Sequence, residues 1–273
     1  GYSGRDIAVF YRVNAQSRVL EDVLVRQGIP YQVVGGPRFY DRAEIKDAIA
    51  YLQVIDNPAD AVSLLRIANR PRRGIGEATL ARLAAYAEAQ GMTLFQALAR
   101  AEEAGITPAP RRGVEALRTL LLSLQAQAQE LSLPELIEQV LEQSGYLAAL
   151  EAERTIEARG RIENLQELVG VAKEYVAQAE EPSLSGFLQE ISLYSDQDAL
   201  REEESLVTLM TLHNAKGLEF AAVFILGMEE GIFPHARSIE EQGVEEERRL
   251  CYVGMTRAKE RLTLTHAATR QLF

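Results

Sequence analysis

Apolar and polar positions follow one pattern near the two ends of the chain and another in the middle. Short apolar runs rich in β-forming residues predict strands at 7–11, 31–34, 206–212, 221–226 and 262–266. Apolar residues at helical spacing follow the first run, over about 17–27, and precede the last, over about 244–256. Strands that alternate with helices are typical of an open α/β sheet.

The middle of the chain, residues 35–203, is rich in Ala, Leu, Glu, Gln and Arg at helical spacing. The clearest helical patterns lie at 78–90, 114–130, 133–143 and 161–176. The simplest arrangement is an all-α domain inserted into an α/β domain. The sequence therefore predicts that 1–34 and 204–273 fold together and that 35–203 form a helical insert.

Composition narrows the class of protein. Apolar residues make up 47% of the chain and charged residues 25%, as in soluble globular proteins. No apolar run approaches the ~18 residues that span a bilayer, and the first residues do not resemble a signal peptide. A single cysteine, Cys251, excludes an internal disulfide and suits a reducing cytoplasm. The three histidines are not at metal-ligand spacing with cysteine or acid, so we expect no metal site.

The formal net charge of −11 argues against a nucleic-acid ligand, because phosphate contacts supply most non-specific affinity. Local patches, however, set the field that a ligand meets. Much of the acidity lies in helical stretches that we expect to be exposed, such as 202–204 and 245–247. One basic patch consists of Arg66, Arg70, Arg72 and Arg73. The charge balance therefore leaves DNA open as a ligand.

The segment 209–220 combines the end of a strand, a polar loop with a glycine, and the start of the next strand. In open α/β sheets, ligands bind beyond the carboxyl ends of the strands. We therefore expect His213, Lys216 and Glu219 to lie at a ligand-binding edge. An ordinary connection with solvated polar residues is the alternative.

The segment 245–259 reads as a helix with several arginines, and Arg257 lies near its end, before the last strand. A guanidinium in this place could reach a phosphate held outside its own domain, where it would stabilise the charge that develops in phosphoryl transfer. A solvated basic helix face is the alternative. Cys251 has no evident partner base, so we expect it to pack in the core.

The segment 72–79 is a glycine-flanked turn between two predicted helices. Two glycines allow the backbone to approach a phosphate closely, and the free N–H groups of the new helix favour an anion. These features predict a turn that can bind a phosphate. A plain helix–turn–helix corner is the alternative.

Together with 11–18 and 227–234, these segments resemble superfamily-one helicases of the UvrD/PcrA/Rep group, in the same order across nearly the whole chain. The resemblance implies that 1–34 and 204–273 form a RecA-like parallel-sheet motor domain, called 2A. It also implies that 35–203 form the inserted all-α domain, called 2B.

The resemblance also implies roles for single residues. Arg257 would approach the γ-phosphate of ATP across a domain cleft, and Glu219, with Gly217 beside it, would hold the nucleotide ribose. Arg12, Asn14, Thr211 and His213 would contact single-stranded DNA, and Phe273 would stack on a base. The 72–79 turn would grip duplex DNA ahead of a single-strand/duplex junction through Arg73, Gly74, Gly76 and Thr79, without reading its sequence.

A phosphate-binding loop of the Gly-x-x-x-x-Gly-Lys-Ser/Thr type does not occur in the sequence. We therefore expect ATP and Mg²⁺ to be bound jointly with a first motor domain outside this chain. The resemblance implies that the whole protein is a cytoplasmic 3′–5′ DNA helicase of repair or replication. Repair proteins or RNA polymerase are further expected partners, and a membrane is not. The alternative is a DNA- or protein-binding regulatory module without ATPase activity of its own.

Overall fold

The chain folds into two compact units in the computed structural model, which describes residues 1–197, 205–240 and 243–268. Unit 1 comprises Gly1–Arg42 and Leu193–Phe273, and unit 2 comprises Ala43–Ser192. The sequence pattern put the divisions after residues 34 and 203, whereas the units divide after 42 and 192.

Unit 1 is built on a five-stranded sheet in which every neighbouring pair is parallel. The strand order is β2-β3-β1-β4-β5. β1 lies at the centre, where Val9 pairs with Leu209 on one side and with Phe224 on the other. The two ends of the chain therefore share one sheet, and the predicted α/β fold class is confirmed. The strands are β1 (Ile7–Tyr11), β2 (Tyr31–Val34), β3 (Val207–Thr211), β4 (Phe220–Ile225) and β5 (Ala258–Leu264).

The sheet is covered on both faces, as expected of parallel strands with continuous apolar runs. All five residues of β3 are buried. Phe10, Met210 and Ile225 pack on one face of the sheet, and Tyr11, Tyr31 and Leu209 pack on the other. The helices of this part of the chain are α1 (Ser17–Arg26), α11 (Ala236–Glu240) and α12 (Val244–Met255).

The helix α12 packs closely at Gly254 against Leu212, the first residue after β3. A β-carbon at this position would overlap the Leu212 side chain, which is itself fully buried. Only Thr256 and Arg257 separate α12 from β5, so the last strand begins at Ala258, four residues before the predicted position. This short connection places Arg257 directly at the start of β5.

The middle of the chain is helical, as its periodicity predicts. The first helix, α2, is almost entirely buried, and Asp60 caps the next one by accepting hydrogen bonds from Val62 and Ser63. Capping of this kind satisfies N–H groups that have no partner within the helix. The helices are α2 (Ala43–Asp56), α3 (Ala61–Ile67), α4 (Glu77–Gln90), α5 (Leu94–Leu98), α6 (Pro108–Gln127), α7 (Leu133–Gln143), α8 (Tyr146–Glu153), α9 (Ile156–Gln178) and α10 (Leu184–Gln197).

Within the described ranges, the helices are too short or too polar to cross a bilayer. The same ranges contain no group of three or more His, Cys, Asp or Glu side chains arranged to hold a metal ion.

Candidate functional site

The candidate residues of unit 1 lie at two opposite edges of its sheet. Arg12 directly follows β1, and Thr211 ends β3, so both lie at the carboxyl edge. Glu219 and Arg257 directly precede β4 and β5, so both lie at the amino edge. Since all strands run in the same direction, these two groups are separated by the length of the strands.

This separation corrects the expectation that His213 and Glu219 share one ligand edge. β3 and β4 are parallel, so the connection between them must return along the sheet before β4 can begin. The connection starts with a 3-10 turn over Leu212–Ala215 and reaches the opposite edge by Glu219. His213 therefore lies at the carboxyl ends of the strands, where ligands bind in open α/β sheets, whereas Glu219 lies at the opposite edge.

At the carboxyl edge, Arg12 forms a forked ion pair with Glu247 of α12. Arg12 Nη2 and Nε lie 2.7 and 3.0 Å from Glu247 Oε1, and Nε also lies 2.9 Å from Oε2. The loop around Arg12 is held by Gln16, whose side-chain oxygen accepts hydrogen bonds from the backbone N–H groups of Arg12 and Val13. Asn14 is exposed in the same loop. Arg12 therefore places a guanidinium at this edge, and hydrogen bonds hold both its side chain and its loop.

His213 lies beside this ion pair, and its ring titrates accordingly. Desolvation and the positive charge of Arg12 lower the pKa of His213 below its ordinary value, and the carboxylates of Glu247 and Glu246 offset only part of this effect. A neutral imidazole has one N–H donor and one acceptor nitrogen. At neutral pH, His213 can therefore take part in hydrogen bonds of either direction.

Thr211 is nearly buried at the end of β3, where it pairs with Tyr11 across the sheet. Phe273, the predicted stacking residue, lies outside the described residues. Three of the predicted strand-contact residues, Arg12, Asn14 and His213, are thus at least partly accessible at the carboxyl edge.

At the amino edge, Arg257 is half-buried, and its guanidinium donates hydrogen bonds within unit 1. Its Nε donates to the Val253 carbonyl oxygen at 3.1 Å, and its Nη1 donates to the Leu218 carbonyl oxygen at 3.3 Å. The backbone N–H of Phe220 donates to the Arg257 carbonyl oxygen at 3.0 Å. These contacts bring Arg257 and the segment before β4 together.

Glu219 and Gly217 belong to that segment. Glu219 is exposed and lies 3.5 Å from Lys259 Nζ, a surface pair that salt screens. Gly217 has a φ of +85° and open space where a side chain would be. The amino edge therefore offers an accessible carboxylate, a guanidinium and an uncrowded backbone within one short stretch of surface.

In unit 2, the predicted phosphate-binding turn lies between α3 and α4, and one of its predicted contact residues, Arg73, forms hydrogen bonds within the unit. The Arg73 guanidinium is hydrogen-bonded within unit 2, a geometry that does not favour its predicted contact with DNA. It donates to the carbonyl oxygens of Ile67, Pro71 and Ser144 at 3.2, 3.2 and 3.0 Å, and to the Tyr51 hydroxyl at 2.6 Å. Through these hydrogen bonds, Arg73 connects the turn to the helices around it.

The other predicted contact residues of the turn are at least partly exposed, whereas Ile75 between the two glycines is buried. Gly74 and Gly76 are exposed, Thr79 is half-buried, and Gly76 is the N-cap of α4. Arg72 is exposed and makes no hydrogen bond or ion pair with the part of the chain that the structure describes. Of the predicted basic patch, Arg66 and Arg70 pair with Asp47 at 2.7 and 3.4 Å. Arg72 is therefore the arginine of this patch that has neither a hydrogen bond nor an acidic partner among the described residues.

Glu247, the partner of Arg12, is not singled out by the sequence pattern, because it belongs to an acidic stretch that is expected to be exposed. Only 5% of it is exposed. A signal was present, since Glu247 precedes Leu250, Cys251 and Gly254 at helical spacing and so shares the inward face of α12.

A comparison with protein families matches residues 2–269, nearly the whole chain, to the family model of the UvrD-like helicase C-terminal domain. The chain belongs to the UvrD-like helicase C-terminal family. The predicted resemblance is thereby confirmed.

Relatives of this family member include helicases of several bacteria. The ATP-dependent DNA helicase PcrA of Bacillus subtilis (strain 168) is 46% identical over 98% of this chain and 37% of its own length. The proteins of the same name from Staphylococcus aureus (strain MRSA252) and Staphylococcus epidermidis are each 45% identical, over 100% and 98% of this chain. The chain spans 37–38% of the length of these relatives.

Proposed function

We propose that this chain is the C-terminal part of an ATP-dependent DNA helicase that moves 3′ to 5′ on single-stranded DNA. In this proposal, unit 1 is the second motor domain and unit 2 is its inserted domain. The observation that carries the proposal is the separation of the candidate nucleotide and strand residues to opposite edges of one sheet. A motor must hold both ligands at once, and this separation provides two distinct places for them.

The amino edge is the proposed half-site for ATP. Arg257 would present its guanidinium to the terminal phosphate, where a cation stabilises the charge that develops during transfer. It donates to two carbonyl oxygens and to the Thr256 hydroxyl oxygen, neutral acceptors that bind a guanidinium more weakly than a phosphate does. The exposed Glu219 carboxylate can accept hydrogen bonds from ribose hydroxyls, and the open space at Gly217 leaves room for the nucleotide.

A first motor domain outside this chain would supply the phosphate-binding loop and hold the Mg²⁺ that accompanies ATP. The family resemblance alone assigns the ligands of this Mg²⁺ to that domain. The relatives named ATP-dependent DNA helicase support an enzyme of this kind.

The carboxyl edge is the proposed path of the single strand. Arg12 would bind a phosphate, while Asn14, Thr211 and His213 would contact the strand beside it. Phe273 would stack on a base, which is a contact that tolerates any sequence. A motor that walks along DNA requires such sequence-independent contacts.

The turn between α3 and α4 is the proposed contact with duplex DNA. The exposed backbone of Gly74 and Gly76 and the Thr79 hydroxyl would meet phosphates at the start of α4. Arg72 takes the place of Arg73 as the cation of this contact, since the Arg73 guanidinium donates hydrogen bonds within unit 2. A repair protein or RNA polymerase as a partner, and a cytoplasmic location, belong to the proposal through the family resemblance alone.

The two-edge assignment is tested by two substitutions in the intact helicase. His213→Ala should weaken binding of a fluorescent oligo-dT strand and leave the affinity for ATP unchanged. Arg257→Ala should lower ATP turnover and leave strand affinity unchanged. If either variant changes both ligand affinities to the same extent, the assignment of the two edges is wrong.

The regulatory-module alternative is tested with the 273-residue chain itself. We expect it to bind forked DNA and not to hydrolyse ATP. Hydrolysis by the chain alone would contradict the proposal that a first motor domain completes the ATP site.

A further inference from the structure

The Glu247 carboxylate is fixed in position by contacts that do not involve Arg12. It accepts a hydrogen bond from the backbone N–H of His235 at 3.2 Å and another from the Ser238 hydroxyl at 2.8 Å. Its side chain is 6% exposed, and it belongs to the regular helix α12. Glu247 therefore remains in place whatever Arg12 binds.

The Arg12 guanidinium offers only one of its sides to Glu247. Nε and Nη2 donate to the carboxylate, whereas Nη1 makes no hydrogen bond within residues 1–197, 205–240 and 243–268. The Arg12 side chain is 19% exposed, so its remaining N–H groups can be reached from solvent. A guanidinium has five N–H donors in a rigid plane, so fixing one side also fixes the direction of the other.

We propose that Glu247 is a positioning residue that holds the Arg12 guanidinium so that its Nη1 side meets a phosphate group. The inference rests on the proposed function, which assigns this phosphate to the single strand. A phosphate of a nucleotide has the same chemistry, and the experiment below distinguishes the two sources.

Two opposed effects make the role of Glu247 measurable. Its negative charge repels a phosphate, so loss of the charge alone would tighten phosphate binding. Its hydrogen bonds orient a long, flexible side chain, so loss of orientation would weaken binding. If Glu247 positions Arg12, the second effect is the larger one.

The test compares three variants of the intact helicase. Arg12→Ala removes the cation, and Glu247→Gln removes the carboxylate charge that holds it. Glu245→Gln is the matched control, since it makes the same charge change on the same helix, at an exposed residue that pairs with Arg248 instead. Binding of an oligo-dT strand is measured at several salt concentrations, and binding of a fluorescent ATP analogue is measured in parallel. Thermal unfolding reports whether each variant is folded.

We expect Arg12→Ala to weaken strand binding about tenfold, as for one lost charge-assisted hydrogen bond, and Glu247→Gln to weaken it roughly three- to tenfold. Each variant should also reduce the slope of log affinity against log salt by ~0.7, the value for one phosphate contact on a single strand. Glu245→Gln should change neither quantity. A purely structural role for Glu247 would lower the unfolding temperature without changing this slope.

The other outcomes separate the inference from the function on which it rests. If Arg12→Ala weakens strand binding but Glu247→Gln leaves it unchanged or tightens it, Glu247 does not position Arg12. If both variants weaken binding of the ATP analogue and not of the strand, the positioning role stands, and the strand role of Arg12 is overturned. If Arg12→Ala affects neither ligand, the inference and that part of the proposed function are both wrong.

Discussion

Gly254 of α12 lies directly against the Leu212 side chain, with no room for a β-carbon between them. Leu212 is fully buried just after β3, so the contact sets how closely α12 approaches the sheet. α12 has Glu247 near one end, and Arg257 follows its other end. One close backbone approach therefore helps to position both candidate edges of unit 1.

Gly254→Ala should destabilise unit 1 by roughly 1–3 kcal/mol, because an added methyl group in a packed core forces neighbours to shift. Urea-induced unfolding of the 273-residue chain measures this change. The double variant with Leu212→Ala, which vacates the occupied space, should be less destabilised than the sum of the two single variants. Strictly additive free energies would show that the two residues do not compete for space.

Arg257→Ala should lower the ATP turnover number of the intact helicase by roughly 10³-fold, the order found for arginines that stabilise the transition state of phosphoryl transfer. Steady-state ATPase assays with saturating single-stranded DNA provide the measurement. Arg248→Ala is the control, since Arg248 is an exposed arginine of the preceding helix α12 that pairs only with Glu245 in the described structure. Equal turnover in the Arg257→Ala variant and the unmodified enzyme would remove Arg257 from the ATP site.

The strand pattern could be predicted from sequence because a buried parallel strand needs a continuous apolar run. The runs at 7–11 and 31–34 match β1 and β2. The edge at which Glu219 lies could not be predicted from the run of residues around it. Its position depends on β3 and β4 being parallel, which is a property of the assembled sheet.

The direction of a side chain could not be predicted from the sequence either. Arg72 and Arg73 are adjacent and chemically identical, yet one faces solvent and the other faces the interior. The difference arises because Arg73 meets carbonyl oxygens from Ile67, Pro71 and the distant Ser144. Contacts between residues 71 positions apart leave no mark in the local sequence.

These two arginines give a matched pair of substitutions in unit 2. Arg73→Ala should destabilise the unit by about 2–4 kcal/mol, because three carbonyl oxygens and the Tyr51 hydroxyl would lose a charged donor. Arg72→Ala should leave stability within about 0.5 kcal/mol and weaken duplex binding. Thermal unfolding and anisotropy with a labelled DNA duplex measure the two effects. The reverse pattern would restore Arg73 as the DNA contact.

The buried acid Asp22 of α1 should make the stability of the chain depend on pH. Burial raises the pKa of Asp22 to about 6, although Arg18, 3.1 Å away, acts in the opposite direction. A carboxyl whose pKa is raised on folding contributes stability that is fully present below the unfolded-state value of 3.8 and is lost as the pH rises through about 6. The pKa of Glu247 shifts in the opposite direction. Burial alone would raise this pKa, but hydrogen bonds from Arg12 and Ser238 and the charge of Arg12 lower it below its ordinary value. The contribution of Glu247 to stability is therefore present at neutral pH and is lost in acid.

Asp22→Asn should remove the Asp22 contribution and keep that of Glu247. Between about pH 4 and 6, the free energy of unfolding of the unmodified chain should therefore fall relative to the Asp22→Asn variant by roughly 2–3 kcal/mol. Urea-induced unfolding at half-unit pH intervals measures the difference. The exposed carboxylate of Glu246 provides the control, since Glu246→Gln makes the same charge change and should give a profile parallel to that of the unmodified chain. A parallel profile for Asp22→Asn as well would mean that Asp22 titrates alike in the folded and unfolded chain.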